Sequence, residues 1–389
     1  MGKREKRAYL EAIRGRYRRA KRADKSKILD EFCAVCGYHR KYAIRLLGRK
    51  ARERRSRRRG RKPTYDHPQL FKALRRIWLA SDQLCGKRLK AALPLWVPHY
   101  ETAYGPLPPE ARSGLLAASA STLDRLLKPA RVQHPKGLCA TKPGTLLKQQ
   151  IPIRCGHWDV SQPGFVEADT VAHCGNSLAG DFTWSLTLTD ILTGWTECRA
   201  TWNKGSQGVI ARIQDIEAEL PFPLLGFDCD NGSEFLNHHL LRYFSDHPGK
   251  PAFTRSRPYK KNDNAHVEQK NWSHVRQLFG YDRFDNLRLV NLMNDLYTNE
   301  WSLMQNHFCP TLKLKEKSRD GSRYTRRYYP PETPYERVMA CEAISASTRA
   351  RLKRQHDSLN PFDLKRRIEA KLRRIFSMVS VSSNVRQRI

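Results

Sequence analysis

Positive charge is distributed so unevenly along this chain that it decides which stretch can build a dense mixed core. Residues 1–63 carry 25 Lys and Arg against 6 Asp and Glu, a net of +19 out of +34 for all 389 residues. Residues 151–285 carry 13 basic against 17 acidic side chains, a net of −4, and residues 311–376 carry 18 against 8, a net of +10. Like charges at that density repel one another in a compact state unless a polyanion lies against them. The two ends therefore read as nucleic-acid-binding regions. The near-neutral middle reads as a domain whose carboxylates have another task, because phosphate neutralisation needs Lys and Arg.

With 39% hydrophobic and 10% aromatic residues the chain is too apolar for a disordered basic tail, and its length leaves room for two or three domains. No apolar run approaches the roughly 20 residues needed to cross a bilayer, so no membrane partner is expected. The stretch from Met1 to Ala20 lacks the apolar segment and small-residue cleavage site of a secretory signal. The 10 cysteines are irregularly spaced, which suggests reduced thiols in a cytoplasmic setting. Cys33 and Cys36 have Cys-x-x-Cys spacing but no matching second pair, so they read as core thiols. His134, Cys139, Cys155 and His157 span a Pro-rich stretch and read as unrelated side chains and not as a zinc site.

Residues 1–50 carry a helix-turn-helix pattern. Asp24 is placed to cap a helix with Ile28, Phe32 and Val35 as its apolar stripe, Gly37 serves the turn, and Ala43, Leu46 and Leu47 line a second helix. That second helix would offer His39, Arg40, Lys41 and Arg45 to a DNA groove. Residues 51–66 form an Arg-rich linker or an arm for a narrow minor groove, with Arg57, Arg58, Arg59, Arg61 and Lys62 as its DNA contacts. Residues 67–128 look like a second helix-turn-helix domain, with Leu70, Leu74, Ile77 and Trp78 as its first apolar face. Near its end Ser121-Thr122-Leu123-Asp124 fits a capping box, and Ser121, Thr122 and Arg125 are its candidate DNA contacts. Residues 129–149 read as a linker, because prolines and glycines there resist helix and sheet alike.

From residue 150 to 285 the pattern predicts βββαβαβα. Strands are expected over Phe165–Cys174, Phe182–Leu192 and Trp195–Trp202, then a helix from Gln207 to Glu219 and a strand running into Asp228 and Asp230. A helix from Glu234 to Asp246, a strand over Ala252–Ser256 and a final helix opened by Asn264 and holding Glu268 complete the order.

Three acids stand out in that order: Asp169 late in a strand, Asp230 in Asp-Asn-Gly-Ser-Glu-Phe, and Glu268 in Asp263-Asn264-Ala265-His266-Val267-Glu268. The set resembles the retroviral-integrase-like catalytic core of bacterial insertion-sequence transposases, over about Gln162 to Phe284. The resemblance implies a ribonuclease-H-like core in a multidomain α and α/β chain. It also implies that Asp169, Asp230 and Glu268 hold two divalent ions, Mg²⁺ or Mn²⁺. Such a pair suits in-line phosphoryl displacement, since hard cations take carboxylate oxygens and serve both the attacking and the leaving oxygen.

Neighbouring acids have ordinary readings as well. Asp228 and Glu167 lie two residues before Asp230 and Asp169, on the same side of their strands, and are assigned supporting roles. Glu234 is expected in a first helical turn, where it would complement the helix dipole. After Glu268 the chain departs from the family: its fourth and seventh following positions, commonly basic, are Trp272 and Val275, which leaves Lys270, His274 and Arg276 as replacements. Lys270 and Arg276 are taken as DNA contacts.

Residues 286–389 read as a basic helical region, with a basic and aromatic stretch from Trp301 to Tyr329 and an amphipathic stripe of Leu364, Ile368, Leu372 and Ile375. The stripe suits packing on the chain's own core, with contact between subunits as the alternative. Together these features predict an enzyme that binds double-stranded element ends, hydrolyses a phosphodiester and joins the freed 3′-hydroxyl to target DNA, as a homodimer or larger oligomer. A catalytically silent DNA-binding regulator derived from such an enzyme is the alternative.

Overall fold

The computed structural model describes residues 2–48, 65–133, 160–230, 232, 234–235, 237–255, 265–320 and 323–379. They fall in two compact units, Met1–Pro63 and Thr64–Ile389. The Arg-rich arm with Arg57, Arg58, Arg59, Arg61 and Lys62, the set His134, Cys139, Cys155 and His157, and Asn264 lie outside the described residues.

The first unit holds α1 (Lys3–Arg19), α2 (Arg22–Cys36) and α3 (Arg40–Gly48). Ile13 and Tyr17, one turn apart on α1, join Ile28, Leu29, Phe32, Cys36, Ala43 and Leu47 in one small core. Asp24 sits inside the first turn of α2 and not at its cap, where its charge still complements the helix dipole. Val35 is 46% exposed, whereas Cys36, four residues after Phe32, takes the buried position. Cys33 packs against the same core, and both thiols are free. Gly37 ends α2 with φ of 65°, a left-handed conformation that glycine adopts without the usual Cβ clash.

The second unit opens with α4 (Pro68–Ala80), α5 (Gly86–Tyr104), α6 (Pro109–Ala117) and α7 (Ala120–Gln133). The hydroxyl that accepts an N–H at the start of α7 belongs to Ser119, which takes the Thr122 amide at 3.2 Å. Asp124 instead reaches across to accept the Gly86 amide at 3.0 Å, capping α5, and pairs with Arg131. A Cβ on Gly86 would lie 2.4 Å from the Ala120 carbonyl, so only glycine lets α5 and α7 approach this closely. The helix also continues through Pro129, past the boundary expected there; a proline near a helix end forfeits one hydrogen bond, and the last turn persists without it.

Next come β1 (Phe165–Ala172), β2 (Thr183–Asp190), β3 (Thr196–Trp202), α8 (Ser206–Glu219), β4 (Gly226–Cys229), α9 (His238–Asp246), β5 (Ala252–Arg255) and α10 (Ala265–Lys270), the expected βββαβαβα order. The five strands form one mixed sheet in the order β3-β2-β1-β4-β5. β1, β2 and β3 pair antiparallel, while β4 runs parallel to both β1 and β5.

Side chains alternate across this sheet. Val166 and Ala168 of β1, Leu186 and Leu188 of β2, and Phe227 and Cys229 of β4 pack with Val209, Ile213 and Ile216 of α8 in one core. Val171, Cys198 and Ala200 join a different core on the opposite face. That second core takes in α11 (Gln277–Phe279), α12 (Arg288–Leu296) and α13 (Ser302–Phe308), and it is continuous with the core of α4–α7. Between α10 and α11 the chain takes wider π-helical turns over Asn271–Arg276, and again over Tyr297–Trp301 between α12 and α13.

Past α13 the basic and aromatic stretch of the region expected as helical forms a two-stranded hairpin, β6 (Leu314–Asp320) and β7 (Arg323–Tyr328). Then follow α14 (Pro334–Ala340), α15 (Ala346–Ser358) and α16 (Pro361–Met378). On α16, Leu364 and Ile368 are fully buried and Ile375 nearly so, while Leu372 is partly covered. Phe362, near the start of α16, meets the Trp96 ring of α5 edge-on at 5.2 Å. Burial of each such aliphatic side chain stabilises by roughly 1.5–3 kcal/mol, so the stripe is held within its own chain and not free for a partner.

Candidate active site

The site follows from strand register. Ala168 on β1 faces Cys229 on β4 in a parallel pair, so one step further along both strands Asp169 and Asp230 are neighbours. Asp169 lies on the sheet face opposite α8, because Ala168 is buried with α8 and side chains alternate, and Asp230 directly follows the last residue of β4. Glu167 and Asp228, paired two positions earlier, share that face.

The helix that carries Glu268 is fastened to β1 on both sides of that residue. The Val267 amide donates to Glu167 Oε2 at 3.1 Å, and Asn271 Nδ2 donates to Asp169 Oδ2 at 2.6 Å. Asp169 Oδ1 accepts its neighbour's amide, from Thr170, at 2.7 Å, and Asp230 Oδ1 accepts the Gly232 amide at 2.9 Å. The side chains of Glu268 and His266, and Asn231 as a whole, lie outside what is described. Both described carboxylates are therefore oriented by donors, which fixes their rotation before any ligand arrives.

The acids act on the thiol behind them. Burial pushes Cys229 well above its ordinary pKa, and the charges of Asp230, Asp228, Glu234 and Asp169 push it the same way. Carboxylates from β1, β4 and the following turn are thus gathered at one end of the sheet. Asp228, fully buried, accepts the Thr254 hydroxyl at 2.6 Å, which ties β4 to β5 and fits a structural use.

Glu234 departs from expectation. It precedes α9, whose first turn is capped by Asn237 accepting the Leu240 amide at 2.9 Å. Glu234 is buried instead, accepting the Thr170 hydroxyl at 2.7 Å and lying 3.3 Å from Lys204 Nζ. Because Thr170 follows Asp169, this bond braces the turn after Asp230 against β1.

The structure also corrects one expected DNA contact. Lys270 is buried, with Nζ donating to the Gly194 carbonyl at 3.2 Å. Burial, aided by Arg88 and Arg337, lowers its pKa to about 7, so near neutral pH it is only partly charged, and its burial keeps that charge from a duplex. Arg276 is half-buried and folds onto its own turn, donating to the Gly280 carbonyl at 3.3 Å and stacking over Tyr281. Val275 and His274 are buried as well, and Trp272 is 37% exposed. In the first unit His39, Arg40, Lys41 and Arg45 are all exposed, Arg40 pairing with Asp30. On α7, Ser121 and Arg125 are exposed and Thr122 is half-buried.

Asn271 is the residue that reading by sequence missed. It lies three positions after Glu268, hence on the same side of a helix, and it opens the π-helical turns, a distortion frequent at functional sites. Its Oδ1 is buried with no hydrogen-bond partner among the described residues. Among the described residues no group of three or more His, Cys, Asp or Glu is gathered as a metal centre. Yet Asp169 and Asp230 are neighbours, Asn271 adds a buried oxygen, and an all-oxygen set fits hard divalent cations.

No family model matches the chain. The uncharacterized protein y4rM of Sinorhizobium fredii (strain NBRC 101917 / NGR234) is 43% identical over 333 residues, which is 84% of this chain and 93% of that protein. Among solved structures, the catalytic core domain of BIV integrase aligns with 44% of this chain and 91% of its own, at 17% identity and a TM-score of 0.27. The HTLV-2 integrase catalytic core domain in complex with magnesium aligns with 38% of this chain and 90% of its own, at 16% identity and a TM-score of 0.28.

Proposed function

The chain belongs to the family of the uncharacterized Sinorhizobium fredii protein y4rM, and from its site we propose that it is a DNA strand-transfer enzyme of the transposase and integrase kind. The observation that carries this reading is the register that sets Asp169 beside Asp230, with the helix of Glu268 tied to β1 at Val267 and Asn271. The sheet order, with two parallel crossovers through α8 and α9, is read as a ribonuclease-H-like core.

Asp169, Asp230 and Glu268 are the residues that would hold two divalent cations, Mg²⁺ or Mn²⁺. Bound there, the ions supply activation of the attacking oxygen and stabilisation of the leaving oxygen in an in-line displacement at phosphorus. The chain's own groups set the stage for this. Asn271 and the Thr170 amide hold the Asp169 carboxylate from both oxygens, and the Gly232 amide holds Asp230. Cleavage and joining are the same displacement with water and then a 3′-hydroxyl as nucleophile, so one site serves both.

The exposed basic face of α3 and the basic arm after it are assigned to the element ends. A silent DNA-binding regulator would share that surface and would gain nothing from the braced acids. Pre-cut ends incubated with target DNA and Mg²⁺ or Mn²⁺ separate the two: joined product is expected, and binding without any joining would support the regulator.

Asn271→Ala removes a bond to Asp169 without changing charge. Loss of such an orienting partner typically costs about 10–100-fold in metal affinity or activity. The expected result is a higher Mg²⁺ concentration for half-maximal cleavage with DNA affinity unchanged; an unaltered metal dependence would remove Asn271 from the site.

Two ends must meet one target, and each chain carries one such set of acids, so the working form is proposed to contain at least two chains. Since the apolar stripe of α16 packs within its own chain, the contact would use a surface other than that stripe. Light scattering on protein bound to end DNA should give a mass of two chains or more, and a one-to-one complex that joins both ends would refute it. No helix among the described residues is long and apolar enough to cross a membrane. A cytoplasmic, nucleoid-associated setting is part of the proposal.

A further inference from the structure

Beside the hairpin of β6 and β7 lies a groove of about 630 Å³ that the proposed chemistry does not use. Its walls include Lys87 and Lys90 of α5 and Lys315, Arg326, Arg327 and Tyr329 of the hairpin region. No carboxylate among the described residues lines it. Tyr328 and Tyr329 are 43% and 47% exposed, large aromatic surfaces left in water, and Lys315 Nζ stands 5.6 Å over the Tyr329 ring. Glu316 pairs with Arg327 at 3.6 Å, but both are largely exposed, and such a pair yields readily to a stronger anion.

The walls are set before any partner arrives. Arg88, next to Lys87, donates to the Pro310 carbonyl, and Lys313 Nζ donates to the Leu192 carbonyl at 2.8 Å, which anchors the foot of β6 to the turn between β2 and β3. Arg337 adds bonds to the Thr311 carbonyl at 2.8 Å and the Thr193 carbonyl at 3.0 Å. A hairpin with strands of 7 and 6 residues extends about 20 Å, enough to follow several phosphates of a duplex.

We infer that this groove is a second DNA-binding surface, which holds the sugar-phosphate backbone of duplex DNA independently of base sequence. Five basic side chains, of which Arg327 alone is described with a carboxylate partner, the exposed Glu316, match a phosphate row, and an anchored hairpin foot lowers the ordering cost of binding it. The inference rests on the reading of this chain as a DNA-acting enzyme and adds a surface that neither the acids nor the first unit supplies.

The test uses the full chain. Tyr329 is replaced by a photo-cross-linking phenylalanine analogue in one variant, and Lys315→Ala/Arg326→Ala/Arg327→Ala are combined in another, with Arg326→Lys/Arg327→Lys as the charge-keeping control. A duplex of unrelated sequence should cross-link at position 329. The triple variant should lower the slope of log affinity against log salt by about 0.9 for each phosphate no longer neutralised, and the lysine control should keep the slope. A folded triple variant with unchanged slope, or cross-linking that prefers an RNA duplex of equal length, would overturn the assignment. Strand transfer measured alongside tells the two ideas apart. Joining by the wild type with an unchanged slope in the triple variant sinks the groove alone, whereas a lowered slope without joining leaves the groove standing and sinks the strand-transfer reading.

Discussion

Asp169→Asn, Asp230→Asn and Glu268→Gln are each expected to abolish cleavage and joining, by about a thousandfold or more, while specific DNA binding stays near wild type. Each change removes a charge from the proposed metal-binding set at almost constant shape. A divalent ion contributes several kcal/mol to the transition state, and about 4 kcal/mol already corresponds to about a thousandfold in rate. Binding survives because the basic surfaces lie elsewhere in the sequence. Asp228→Asn supplies the contrast: Asp228 shares the sheet face of Asp169 but accepts the Thr254 hydroxyl that ties β4 to β5. Its replacement should lower the melting temperature more than it lowers the rate per folded molecule. Near-wild-type cleavage by any of the three variants would strike that residue from the site.

How much of this was legible in the sequence depended on whether a segment has one buried face. β1 to β3 alternate apolar and polar side chains between two cores, so their order was readable, and Asp-Asn-Gly after an apolar run marked where β4 ends. α1 was hidden because, among its described residues, the buried anchors are Ile13 and Tyr17, set among many Lys and Arg. β6 and β7 lacked a signal for the opposite reason: their described side chains are exposed on both faces, so no period of two marks them. The brace from Glu234 to Thr170 and the bond from Asn271 to Asp169 join residues 64 and 102 positions apart, and no local pattern reports such pairs. Lys270 misled because a lysine two residues after an acid reads as surface, whereas the turn of the helix buries it.

Removing residues 1–63 should weaken DNA binding by orders of magnitude and flatten its salt dependence. The deleted stretch carries 25 of the 72 Lys and Arg but only 6 of the 38 acids. Each phosphate left without its Lys or Arg lowers the slope of log affinity against log salt by about 0.9, and six to ten such phosphates account for roughly 10³–10⁵ in affinity between 50 and 200 mM salt. The cut is clean in structural terms, since the core of α1 to α3 forms its own cluster and Thr64–Ile389 is a compact unit by itself. Loss of affinity would therefore report the absent basic surface and not an unfolded remainder, which circular dichroism of the truncated chain can verify. Discrimination between element ends and unrelated DNA should fall with the affinity, because the exposed His39, Arg40, Lys41 and Arg45 leave with the same segment. If the groove at the hairpin also binds backbone, a weak and sequence-independent binding with a smaller slope should remain. A truncated chain that keeps the full slope and still prefers element ends would show that the first unit lies off the DNA.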